Sequence, residues 1–222
     1  MRTLLFLLTP LLSLGQQPVT DDNIHTLVQD WDTDEQFAIE VVYGHISNWD
    51  VSNVTDMSFL FYSDDLFNED IGDWDVSNVT NMYLMFYNVD AFNQDIGSWD
   101  VSNVANMDGM FVNAYDFNQD IGDWDVSNVT DMEEMFTNTN LSRNNYDGIL
   151  QGWATLAVNN TDNFPQGITF GGYANYCNGE SARNYLTGIL NWTINDAGID
   201  CNGCVDSTAC NYDDSATEDD GS

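Results

Sequence analysis

Lysine is absent from this 222-residue chain, and three arginines face 37 aspartates and glutamates, for a formal charge of −34. A surface of that sign repels phosphate backbones, so nucleic acid is excluded as an expected partner. It also keeps a chain soluble in salty water. Histidine is scarce as well. His25 and His45 each stand apart from any cysteine or second histidine, so neither is expected to ligate a metal. No apolar run is long enough to span a bilayer. The most apolar stretch, Leu4 to Leu14, follows Arg2 and runs into Ser13-Leu14-Gly15. Residues 1–15 therefore read as a secretory signal peptide, and the mature chain is expected outside the cell or at its surface. No cysteine lies near the cut, which gives no support to a lipoprotein anchor. Signatures of catalysis are missing too: there is no nucleophile elbow, no Gly-rich phosphate loop and no zinc-protease helix motif. No enzymatic activity is expected.

What the chain does have is one sentence written four times. Trp49-Asp50-Val51-Ser52-Asn53-Val54 returns from Trp74, Trp99 and Trp124, every 25 residues and without insertion. Ile46, Ile71, Ile96 and Ile121 lead each copy. Met57, Met82, Met107 and Met132 follow the second valine, and Phe61, Phe86, Phe111 and Phe136 come four residues later. Phe67, Phe92 and Phe117 close the unit, each followed by an asparagine. A strict period of this length marks a repeat architecture. Trp and Val two apart suit a strand with both side chains on one face. The three-residue steps after it suit a tight or short helical turn, and Thr130-Asp131-Met132-Glu133 reads as its capping box. One such coil has nothing to bury against, so neighbours must stack.

Ile-x-x-Trp-x-Val-x-x-Val also fits the leucine-rich-repeat template. The motif W-D-V-S-N-V-x-x-M-x-x-M/L-F, followed by F-N-x-D-I-G-x-W, resembles the BspA-type leucine-rich-repeat surface proteins, in the branch with a 25-residue repeat. The likeness covers Ile46 to about Asn140. It implies a secreted or surface-attached solenoid that acts in adhesion or binding. The expected fold is thus an α/β repeat solenoid, leucine-rich-repeat-like. Each coil would hold one short parallel strand plus a turn or short helix, between a helical N-terminal cap and a mixed strand and helix C-terminal cap.

The expected division is a signal peptide over 1–15, a cap over 16–45, four repeats over 46–140, a second cap over 141–201 and an acidic Cys-containing tail over 202–222. In the first cap, Ile24, Leu27, Val28 and Trp31 at helical spacing predict one short amphipathic helix, with Thr20 as its N-cap. In the second, Ser142 is the expected N-cap of a helix carrying Tyr146, Ile149, Leu150, Trp153 and Leu156. Ile168 to Phe170 suggest a strand, Ser181 the cap of another helix, and Trp192 to Ile194 a last strand. Cys177 and Cys201 bracket that helix and are expected to pair, contributing roughly 3 kcal/mol in the chain-entropy model. Cys204 and Cys210 belong to a stretch similar to a short acidic Cys motif found in tandem near the C-termini of secreted proteins, which implies a further disulfide. The motif breaks off at Ser222, so the natural chain is expected to continue. Among the Asn-x-Ser/Thr sequons, Asn159 in a polar loop is the best glycan acceptor.

The densest functional candidates are columns of the repeat. Asp50, Asp75, Asp100 and Asp125 each sit between the inward Trp and Val, and so point outward. Carboxylates about 4.8 Å apart repel by about 0.9 kcal/mol even at the dielectric of water. The column therefore needs hydrogen bonds, raised pKa values or bound cations. Ser52, Ser77, Ser102 and Ser127, two residues on, share that face. Three readings remain open: a structural role, Ca2+ held by hard oxygens, and direct contact with a ligand. Asp70, Asp95 and Asp120 form a second acidic column, and Asn68, Asn93 and Asn118 an expected inward ladder at a turn. The tryptophans are expected to be core rather than a sugar-stacking platform. Two functions follow: an adhesion or recognition module for an extracellular protein or glycan, or a calcium-dependent structural spacer of a larger surface protein.

Overall fold

The computed structural model describes residues 17–31, 33–160, 164–203 and 218–219; the signal-peptide reading, Cys204 and Cys210 lie outside them. Helices α1 (Ile24–Trp31) and α2 (Gln36–Tyr43) open the fold, and a 3₁₀ turn at Ile46–Asn48 leads into the first copy. Ile24, Leu27, Val28 and Trp31 are all buried, as their spacing predicts. The second helix was not expected. It buries only Ile39 and leaves Phe37 and Val41 exposed, so its periodicity is weak in sequence.

Successive copies lie side by side in strict register. Parallel bridges join Thr20 to Asn53, then Asp56, Asn81, Asn106 and Asp131 in series. Between the first two copies, the N–H groups of Met57, Phe59, Phe61 and Ser63 donate to the carbonyls of Asn81, Tyr83, Met85 and Tyr87. The next two junctions repeat this pattern, from Met82 to Asn106 and from Met107 to Asp131. Apolar columns fill the interior. Every repeat Trp, Val and Met, and the column Phe61, Phe86, Phe111 and Phe136, is at most 5% exposed. Phe86 stacks on Phe111 at 5.5 Å and 2°, and Trp99 on Trp124 at 6.3 Å and 6°. The indoles of Trp74, Trp99 and Trp124 also donate to the carbonyl of the isoleucine 28 residues earlier, as Trp99 Nε1 does to Ile71 O at 3.1 Å.

Two local expectations are corrected. The Trp-Asp-Val stretches form no strand. Asp75 turns the chain onto Ser77 just as Asp70 turns it onto Gly72, which leaves three extended residues between turns. Pairing runs instead through the segment around Met57, Met82 and Met107. That segment is not helical either. Phe59 and Ser63 have φ of 59° and 60°, and Leu84, Asn88, Asn113, Glu134 and Asn138 repeat the left-handed conformation. Alternating hands aim successive ladder N–H groups toward the same neighbour, whereas a helix would turn them onto its own carbonyls.

The period stops but the pairing does not. Met132 bridges Phe170, β1 (Thr169–Phe170) pairs in parallel with β3 (Thr193–Ile194), and β2 (Asn175–Tyr176) pairs with β4 (Gly198–Ile199). The intervening loops carry helices α3 (Arg143–Asn159) and α4 (Glu180–Ile189). β5 (Asn202–Gly203) pairs in parallel with β6 (Glu218–Asp219). Ser142 caps α3 by accepting from Asn145 N. Helix α3 lies against the last copy at glycine: a Cβ on Gly122 would come within 2.6 Å of Gly148 O, and one on Gly152 would collide with Gly122 O. Ser181, in contrast, lies inside α4, whose N-cap is Gly179. Cys177 and Cys201 form a disulfide across this end.

Candidate binding face

The acidic columns are already engaged. Asp50 Oδ1 accepts the Ser52 N–H at 3.1 Å and the Ser52 hydroxyl at 2.5 Å, and Asp75 does the same with Ser77 at 3.1 and 2.6 Å. Asp100 accepts from Ser102 N at 3.1 Å and Asp125 from Ser127 N at 3.0 Å. These are Asx turns, in which a short carboxylate replaces a backbone acceptor two residues before the donor. Asp70, Asp95 and Asp120 hold the N–H groups of Gly72, Gly97 and Gly122 in the same way. A third column, Asp56, Asn81, Asn106 and Asp131, holds Ser58, Tyr83, Asp108 and Glu133. Asp131 thus makes an Asx turn where a capping box was expected. Hydrogen bonds from the Ser77 hydroxyl and N–H draw the Asp75 carboxyl below its ordinary range, against a small opposing effect of burial. The carboxylates that look like ligands in sequence are turn-makers, and in the first two copies Ser52 and Ser77 also spend their hydroxyl hydrogens on them. Among the described residues, no group of three or more His, Cys, Asp and Glu is placed to hold a metal ion.

Asparagine forms surface ladders rather than the expected inward one. Asn68 Oδ1 accepts from Asn93 N, Asn93 Oδ1 from Asn118 N, and Asn118 Oδ1 from Ser142 N at 2.8 Å, which ties the last copy to α3. A second amide ladder links Asn88, Asn113 and Asn138 at 2.6 and 2.7 Å. Asn159, expected in a loop, is the exposed last residue of α3. His45 accepts from Ser47 N as a capping side chain.

The turn ladder carries the most varied surface of the repeats. Its outer side chains grade from aromatic to acidic. Phe59, Tyr62, Tyr83 and Tyr87 cluster in the first two copies, with Tyr62 stacked on Tyr87 at 4.9 Å and 4° and Phe59 edge-on to Tyr83 at 5.1 Å. Phe59 and Tyr62 are 47% and 46% exposed. The later copies place Asp108, Glu133 and Glu134 on the same side. Partial burial, followed by the charges of Asp131, Glu133 and Glu134, pushes the Asp108 carboxyl upward. At the leading edge, α1 lays His25 over the ladder, and its Nε2 donates to Ser58 O at 2.8 Å. Ser58 O can only accept, so the imidazole proton sits on Nε2.

At the far end, Asp147 was not singled out in sequence. It is 4% exposed and accepts the N–H groups of Cys177, Asn178 and Gly179 at 2.9, 2.9 and 2.7 Å. Beside it, the Arg183 guanidinium is paired with Asp196 and lies over the Tyr176 ring, and that pairing raises the arginine further. Burial, then the Asp196 charge, drives the Tyr146 hydroxyl far upward. Only the spacing of Asp147 on α3, one residue from Tyr146 and three from Leu150, hinted that it faces inward.

No helix among the described residues is long and apolar enough to cross a membrane. A family model described as "Mycoplasma protein of unknown function, DUF285" matches residues 22–153, from just before α1 to the middle of α3. No curated protein matches the chain, and no solved structure does.

Proposed function

We propose, for a chain that belongs to this DUF285 family, a BspA-like solenoid of leucine-rich-repeat type that serves as a secreted or cell-surface adhesion and recognition module. It binds an extracellular protein or glycan and performs no catalysis. One observation carries the reading. The 25-residue register is kept by backbone and core, while the outer positions of the turn ladder change from copy to copy. Constant architecture with a varied, exposed face is how repeat proteins build extended binding surfaces.

The test is direct binding of the purified chain to arrayed extracellular-matrix proteins and glycans. Saturable binding to one class, reduced by substitutions on the turn ladder, is the expected result. Arrays that stay blank, or binding that is unchanged by every ladder substitution, refute it. The alternative, a calcium-dependent spacer, is separated by melting the protein with calcium and with chelator.

A further inference from the structure

We propose that the cavity beneath α1, at the leading edge of the turn ladder, seats an arginine side chain from a basic segment of the partner; this rests on the recognition reading above. The ladder has a direction, with N–H groups facing the following copy and carbonyls facing the preceding one. The first copy has no predecessor. His25 supplies a substitute donor for Ser58 O. Leu60 O and Tyr62 O correspond to Met85 O and Tyr87 O, which accept from Phe61 N at 3.0 Å and Ser63 N at 2.8 Å. Among the described residues nothing donates to Leu60 O or Tyr62 O. Both residues line a cavity of about 440 Å³, with His25, Gln29, Phe59 and Asp64 around them.

The chemistry of this wall selects its occupant. Backbone carbonyls only accept, and guanidinium is a rigid fork of five donors with no acceptor of its own. A sugar hydroxyl would bring lone pairs that carbonyls cannot satisfy. A partner backbone would have to repeat the left-handed residues found at Phe59 and Ser63, which an ordinary extended segment does not do. The half-exposed rings of Phe59 and Tyr62 offer faces on which a guanidinium plane stacks. The formal charge of −34 draws a cation in from a distance. Further along the same face, Asp108, Glu133 and Glu134 suit the basic residues that flank it.

The experiment is backbone NMR of the full chain, titrated with acetyl-arginine methylamide, its neutral citrulline counterpart and maltotriose. Arginine should give saturating shifts confined to residues 58–64 and His25. Citrulline, which loses the charge on the donors, should bind about tenfold more weakly. Tyr62→Ala removes one ring from an exposed position and should weaken arginine about threefold with the remaining spectrum unchanged. Arginine shifts that spread over the acidic surface without saturating overturn the proposal. So does equal binding of citrulline, or saturation of the same residues by maltotriose. If an arrayed partner binds and Tyr62→Ala leaves its affinity untouched, this site falls while the recognition reading stands. If arginine saturates the cavity while every array stays blank, the site stands and the recognition reading falls.

Discussion

Replacing Asp147 by alanine should loosen the whole C-terminal end. The carboxylate is buried and gathers three backbone N–H groups at 2.7 to 2.9 Å, where the chain leaves β2, passes the disulfide at Cys177 and enters α4. Those donors include N–H groups that no helix can satisfy from within, and the helix dipole adds to the attraction for a negative charge there. Alanine leaves the Cys177 and Gly179 donors buried and unpaired, while Asn178, which is exposed, can turn its N–H to water. Bonds to a charged acceptor contribute roughly 1.5–3 kcal/mol each but do not sum, and loss of one partner in a buried charged network costs about 3–5 kcal/mol. For a chain of this size, that corresponds to a fall in melting temperature of about 6–20 °C. Gly179→Ala attacks the same contact from the other side, since its Cβ would lie 2.7 Å from Asp147 Oδ1. Neighbouring coils contact mainly each other, so the end can open separately from the middle. The assay is therefore thermal melting together with amide hydrogen exchange. Protection should be lost across α3, α4 and β1 to β4, and kept at the ladder of residues 57–113. If Asp147→Ala melts within a degree of the parent with protection intact, the carboxylate is not what holds α4 in place.

Trp99→Phe should cost about 1–3 kcal/mol beyond its smaller ring, because Ile71 O loses the indole donor at 3.1 Å in a buried setting; equilibrium denaturation measures it, and an unchanged midpoint would show that bond to be idle. The pH profile of melting should have two limbs. The Asp108 carboxyl is raised, so it costs stability at neutral pH, and that cost fades as pH falls through its raised value; Asp108→Asn should melt higher than the parent at neutral pH and lose its advantage in acid. The Asp75 carboxyl is lowered, so its contribution is complete above the ordinary carboxylate value and is lost as pH drops below it toward the folded value; Asp75→Asn should melt lower at neutral pH and converge with the parent in acid. Addition of millimolar calcium should leave the melting temperature in place, because Asp50 and Asp75 already take hydrogen bonds from serine; a clear upward shift reversed by chelator would favour the spacer.

Much of this is legible in the sequence alone. The spacing of the Ile, Trp, Val, Met and Phe columns marks them as inward, and burial of nearly every member follows from the plain cost of exposing apolar surface. The α1 face and the Ser142 cap were local signals, and the pairing of Cys177 with Cys201 followed from residue type in a chain expected outside the cell. The acidic columns were legible as outward and as needing hydrogen bonds or cations, but the choice between the two was not, because Asp before Ser or Gly serves an Asx turn and a cation site with the same letters.

The sequence by itself determined the period, the identity of the buried columns and the sign of the surface, since each depends on residue type and spacing alone. Tertiary structure decided where the copies pair. The left-handed residues at Phe59 and Ser63 carry no glycine to announce them, and only stacked neighbours, with carbonyls waiting 24 residues on, stabilise that backbone. It also decided the roles of Asp147 and His25. Their partners lie about 30 residues away, at Cys177, Asn178, Gly179 and Ser58, so no local pattern could assign them.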